Sequence, residues 1–159
     1  MRNIVKIDGG LGNQMFQYSF ALCLKEKGYD VEIDTTYYDK GINPYMLKYF
    51  NISIPVTSSK NRIIIYKIIS VFLRKIFSKS FEFYKVGYWQ SVKCLPDKNI
   101  LHKEFNLKIT PSSYCLEVLK KIKCFNSVSV HIRRGDYLSK INSKIYNNLN
   151  MDYYNNYLL

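Results

Sequence analysis

NIVKIDGGLGNQMFQYSFALCLKEKGYDVEID, Asn3 to Asp34, decides the fold. Asn3 to Ile7 is a short apolar run that ends in Asp8-Gly9-Gly10-Leu11-Gly12. From Asn13 onward Met15, Phe16, Phe20, Ala21 and Leu24 recur at intervals of three and four, the period of a helix with one apolar face. Gly28 stops that helix, with Lys25 and Lys27 in its last turn, where cations suit the dipole. Val31 to Asp34 reads as a second strand. Strand, glycine-rich turn, helix and strand open a βαβ unit, so the expected class is α/β with a parallel sheet.

Outward from this unit the pattern is coarser. Thr35 to Pro55, broken by Pro44 and Pro55, reads as loop with short turns. Lys60 to Lys79 reads as an amphipathic helix, and Glu82 to Trp89 as a strand. Thr110-Pro111 reads as an N-cap followed by proline at the first helical position, with Leu116, Leu119 and Ile122 turned inward. Ser127 to Ile132 reads as a strand whose carboxyl-end loop is Arg133 to Tyr137. Asp152-Tyr153-Tyr154 looks like the opening of a final helix. There is no internal repeat.

The 159 residues suffice for one compact domain and fall short of two full ones. With 24 Lys and Arg against 12 Asp and Glu, the formal charge of +12 favours anionic partners: nucleotide phosphates, nucleic acid or an acidic membrane surface. No nucleic-acid-binding motif accompanies the charge, so nucleic acid is not an expected partner. Cys23, Cys94, Cys115 and Cys124 lack the close pair spacing of structural zinc. Unpaired thiols fit a reducing cytoplasm. No apolar run is long enough for a membrane span.

Two strings carry chemistry. In Asp8 to Gln14, glycines between strand and helix let backbone N–H groups face an anion at the helix N-terminus. The dinucleotide fingerprint fails, because its third glycine falls on Met15, although Asp34 stands where a ribose-binding acid would. The plain alternative is a tight turn with Asn13 as helix cap. Ligand contact is favoured because the adjacent amides of Asn13 and Gln14 can both donate and accept toward sugar hydroxyls. In His131-Ile-Arg-Arg-Gly-Asp136, charge begins where an alternating strand ends, the usual ligand edge of an open α/β sheet. Arg133 and Arg134 can chelate a diphosphate, oriented by Asp136. A surface salt bridge between these groups is the competing reading, and the residues alone leave both open. His131 reads as a packed or hydrogen-bonded imidazole.

The Lys60–Lys79 segment has no acidic residue. Lys67, Ser70, Arg74 and Ser78 form one stripe and isoleucines fill much of the rest, so a helix packed on the sheet with its basic stripe in solvent is expected. Peripheral contact with an anionic inner membrane face is the alternative.

Four strings, GGLGNQMFQYSFA (Gly9–Ala21), GYWQS (Gly87–Ser91), VSVHIRRGDY (Val128–Tyr137) and MDYY (Met151–Tyr154), together resemble the bacterial α-1,2-fucosyltransferases of glycosyltransferase family 11. The resemblance implies a GT-B architecture, two Rossmann-like domains facing across a cleft. It implies transfer of fucose from GDP-L-fucose to a galactose-containing glycan acceptor, with inversion and no cofactor or metal, in lipopolysaccharide or other surface glycan synthesis. By the resemblance, Arg133 holds the GDP β-phosphate with Arg134 assisting, while Gly10, Gly12, Asn13 and Gln14 line the cleft near the transferred sugar. His131 and Asp136 are the titratable groups near the chemistry, with the general base unassigned. The absence of any Asp-x-Asp string agrees with metal independence. Family members are longer, so the expected division is a Rossmann-like domain over residues 1–125 and only the start of the donor domain over 126–159. On that expectation the chain is truncated and its activity impaired, with a non-catalytic nucleotide- or glycan-binding remnant as the alternative.

Overall fold

The computed structural model describes residues 2–41, 43–57, 59–76, 83–132 and 149–158. They form two compact units, Met1–Thr110 and Pro111–Leu159.

In the first unit, β1 (Asn3–Lys6) lies between β2 (Val31–Asp34) and β3 (Tyr84–Lys85), and both pairings are parallel. Val5 stands opposite Ile33 on one side and Lys85 on the other. The βαβ unit expected from sequence is therefore present: α1 (Leu11–Glu26) crosses from β1 to β2. A parallel sheet is buried on both faces, which is why β1 and β2 are buried almost without alternation, Glu32 and Asp34 included. Val5, Ile7, Val31 and Ile33 pack with Tyr18, Ala21 and Leu22 of α1. Ile4 packs with Tyr84 and Ile63 of α2 (Lys60–Ile76). Each such fully buried aliphatic side chain contributes about 1.5–3 kcal/mol.

Gly28 ends α1 as the sequence indicates. Its φ of 84° is left-handed, its N–H bonds Lys25 O at 2.9 Å, and Tyr29 N reaches back to Leu24 O at 3.1 Å. Beyond β2, short 3₁₀ turns at Thr36–Lys40 and Leu47–Tyr49 run along the strand ends. A buried network then ties α1 to α3 (Lys98–Glu104): the Tyr18 hydroxyl donates to Glu104 at 2.5 Å and accepts from Ser53 N at 2.8 Å.

Of the strand expected over Glu82–Trp89, the described residues form only Tyr84–Lys85, and Glu82 lies outside the described residues. Trp89 takes a φ of 45°, which a strand running through it could not accommodate. α2 begins at Lys60 as expected, but its orientation reverses the reading of its stripes. Ser70 is buried, and its hydroxyl accepts from Phe83 N at 3.1 Å and Tyr84 N at 2.7 Å. Most of the isoleucines face outward.

The second unit contains α4 (Ser113–Cys124) and α5 (Met151–Leu158). The cap of α4 is Ser112, whose Oγ accepts from Cys115 N at 3.2 Å; Thr110-Pro111 lies before it. Leu116, Leu119 and Ile122, expected inward, are exposed. Ser127–Ile132 forms no strand among the described residues, and Val128, Val130 and Ile132 are exposed. A strand needs a neighbour to take its N–H and C=O groups, and alternation within one segment cannot supply it. The final helix is as expected, capped by Asn150, whose Oδ1 accepts from Tyr153 N at 3.0 Å.

Candidate functional site

The carboxyl end of β1 leads into the glycine turn, where the sequence concentrates its polar groups. Gly9 is the position the turn cannot exchange: its φ is 75°, and a Cβ there would stand 2.8 Å from Asn13 Nδ2. Its carbonyl is turned inward and accepts from Gln14 Nε2 and the Tyr38 hydroxyl, each at 3.1 Å. Gly10 is the N-cap of α1 and contributes no side-chain cap. The first-turn N–H groups of the helix are thus left to an outside acceptor. A Cβ on Gly10 or Gly12 would meet nothing within 4 Å. The chain's own packing does not demand glycine at either position, and the turn presents a low, open surface.

The two amides of this motif separate. Gln14 is fully buried, and its amide is consumed internally: Nε2 donates to Gly9 O and, at 3.0 Å, to Pro44 O, while Oε1 accepts from Met46 N at 2.9 Å. It fastens the 44–46 loop to the glycine turn, so its side chain has no capacity left for a sugar hydroxyl. Asn13 is half-buried at the edge, and its Oδ1 accepts from Gln90 Nε2 at 2.8 Å. That bond brings GYWQS against GGLGNQ. Beside it the Trp89 ring stacks on Phe20 of α1, centroids 4.2 Å apart and nearly parallel. Gly87 makes room for that ring, because a Cβ there would lie 3.2 Å from it.

Sequence reasoning missed the supports of this edge. Gln17 clamps Asp8, accepting from its N–H at 2.8 Å and donating to its Oδ1 at 2.8 Å; Lys6 pairs with the other carboxylate oxygen at 2.7 Å. The signal was available: Gln14 and Gln17 stand three apart and share one helix face. Asp34 is also committed, accepting from Thr36 N at 2.8 Å and from the Tyr84 hydroxyl at 2.6 Å, which uses it for architecture rather than for a ribose. Burial and the Asp34 bond push the Tyr84 hydroxyl well above the ordinary tyrosine range, so it stays a proton donor. Burial, with the Asp8 charge nearby, does the same for Tyr38.

Along the β3 edge lies a cavity of about 680 Å³, where Lys6, Lys67 and Arg74 stand around Tyr84, Trp89 and Phe20. Lys67 Nζ sits 4.8 Å from the Tyr84 ring centre and 3.9 Å from Asp34. The cavity is therefore cationic with an aromatic wall, suited to an anionic or sugar-bearing group. Of the remaining expected site residues, His131 is exposed, and Arg133, Arg134 and Asp136 lie outside the described residues. Among the described residues no group of three or more His, Cys, Asp or Glu could hold a metal ion. None of their helices is long and apolar enough to cross a membrane.

A small parallel sheet with α1 crossing from β1 to β2, and a glycine turn at its carboxyl edge, defines an α/β protein. The chain belongs to glycosyl transferase family 11, whose profile matches residues 1–158. It is 28% identical to an alpha-1,2-colitosyltransferase of Escherichia coli, over 87% of this chain and 56% of that protein. It is also 28% identical to the O-antigen biosynthesis glycosyltransferase WbnK of Escherichia coli, over 93% of this chain and 64% of that one. The chain thus spans less than two thirds of the length of either relative. No solved structure matches it.

Proposed function

We propose that the chain works in the transfer of a 6-deoxyhexose, fucose in the first instance, from its GDP-activated form to a galactoside 2-hydroxyl in surface glycan synthesis. The architecture proposed for this is GT-B, with a Rossmann-like domain over residues 1–125 and the opening of the donor domain over 126–159. The observation that carries the reading is the 2.8 Å bond between Asn13 and Gln90, which joins two family strings into one polar edge beside Trp89. Asn13 Nδ2 and the open N–H groups at Gly10 and Gly12 bind sugar hydroxyls there, while Gln14 holds the loop behind them. Arg133 takes the β-phosphate and Arg134 assists. As the C–O bond breaks, charge grows on the diphosphate, and a fixed guanidinium stabilises that charge more in the transition state than before it. The two arginines carry the task that a metal performs elsewhere. His131 and Asp136 are the proposed proton-handling groups.

Colitose is the second donor reading, favoured by the similarity to the colitosyltransferase. Incubation of the chain with a β-galactoside and either GDP-fucose or activated colitose tests both. The expected result is a glycosylated product, reduced about 100-fold or more by Arg133→Ala. Product formed equally fast by Arg133→Ala contradicts the role of the clamp. Donor binding without turnover supports the non-catalytic remnant.

A further inference from the structure

We infer that the outward face of α2 docks on the surface of an anionic bilayer. The helix packs inward through Ile63 and Ser70, whose hydroxyl meets the β3 edge. Outward it presents Ile64, Ile65, Ile68, Val71, Phe72 and Ile76, each more than half exposed. Spaced at three and four, they make one contiguous apolar strip along the helix, the kind of exposed patch that marks an interaction surface.

Charge decides what covers it. The 17 residues of α2 include no acid and five cations. Lys60 and Arg62 are paired with Asp39 and Glu32, each at 3.1 Å, and Lys67 with Asp34 at 3.9 Å. Lys75 rises within the apolar strip, and Lys67 and Arg74 border it. A second copy seated on this face by two-fold symmetry would press these cations against their own counterparts. An anionic bilayer satisfies both halves: Ile68 and Phe72 enter the boundary of the acyl chains, while Arg74 and Lys75 meet lipid phosphates. Among the described residues no helix is long and apolar enough to span, so α2 is placed in the plane of the surface. A groove of about 370 Å³ between Lys67, Ile68, Phe72 and Lys75 shares Lys67 and Val71 with the larger cationic cavity. Headgroup phosphate and acyl contact are therefore available side by side. This inference is independent of the transferase reading.

The test is co-sedimentation of the 159-residue chain with vesicles of phosphatidylcholine alone and of phosphatidylcholine mixed with phosphatidylglycerol. The chain should pellet with the anionic vesicles only, and less as salt is raised. Arg74→Gln with Lys75→Gln should weaken that binding roughly 30-fold, at about fivefold per cation. Ile68→Asp with Phe72→Asp should abolish it, with circular dichroism unchanged because both side chains are exposed. Equal pelleting with neutral vesicles, no pelleting at all, or undiminished binding by the charge variant overturns the proposal. So does elution of the parent as a dimer that Ile68→Asp dissociates.

Discussion

Gly9, Gly10 and Gly12 are chemically identical and structurally unlike. At Gly9 a side chain meets a left-handed backbone and the Asn13 amide at 2.8 Å. Gly9→Ala should therefore cost about 1–3 kcal/mol in urea unfolding. Gly10→Ala and Gly12→Ala should leave stability within about 0.5 kcal/mol, since their added carbons meet nothing, yet should weaken ligand binding by roughening the open edge. A loss above about 1 kcal/mol at Gly10 would mean that the chain, not a ligand, requires that glycine. The glycine loop itself was legible from sequence. Which amide points outward was not, because the partners of Gln14 lie at Pro44 and Met46, thirty residues away and invisible to a local pattern.

Glu104 shows the same limit of local reading and gives a pH prediction. Burial pushes its carboxyl up, but the bonds from Ser53 and Tyr18 outweigh burial and hold it below its ordinary value. A depressed folded value means the stabilisation is full above the unfolded value of about 4.3 and is lost as pH falls through the folded one. Stability should thus drop more between about pH 5 and about pH 3 in the parent than in Glu104→Gln. Equal slopes in the two proteins would show that the network carries no charge-dependent energy.

Among the elements, α1 was read correctly because helix period, stop signal and following strand agree over Asn3–Asp34. The later elements were misread where one face had to be assigned. In α2 the apolar side looked like the buried side, and the structure instead turns Ser70 to the sheet edge, where two strand N–H groups need an acceptor. That need decides the orientation, and Ser70→Ala tests it. The variant should lose about 1–3 kcal/mol by leaving buried donors unpaired, whereas an outward Ile65→Ser should cost little. A harmless Ser70→Ala would restore the apolar-inward reading. Ser127–Ile132 failed for the complementary reason: alternation licenses a strand, but only a partner makes one.

For the molecule as a whole, the family strings were legible because each combines a backbone demand with a polar group. GGLGNQ and GYWQS are distant in sequence and touch through Asn13 and Gln90, an encounter that only the fold reveals. Trp89, the single tryptophan of the chain, stacks on Phe20 beside that contact and so reports on it. The most direct measurement is its fluorescence during titration with GDP-fucose to millimolar concentration. A ligand at the Asn13–Gln90 edge should give a saturable change in emission that Asn13→Ala removes while leaving the fold intact. A flat titration, or an identical curve from Asn13→Ala, would contradict the claim that this edge is where the sugar is held.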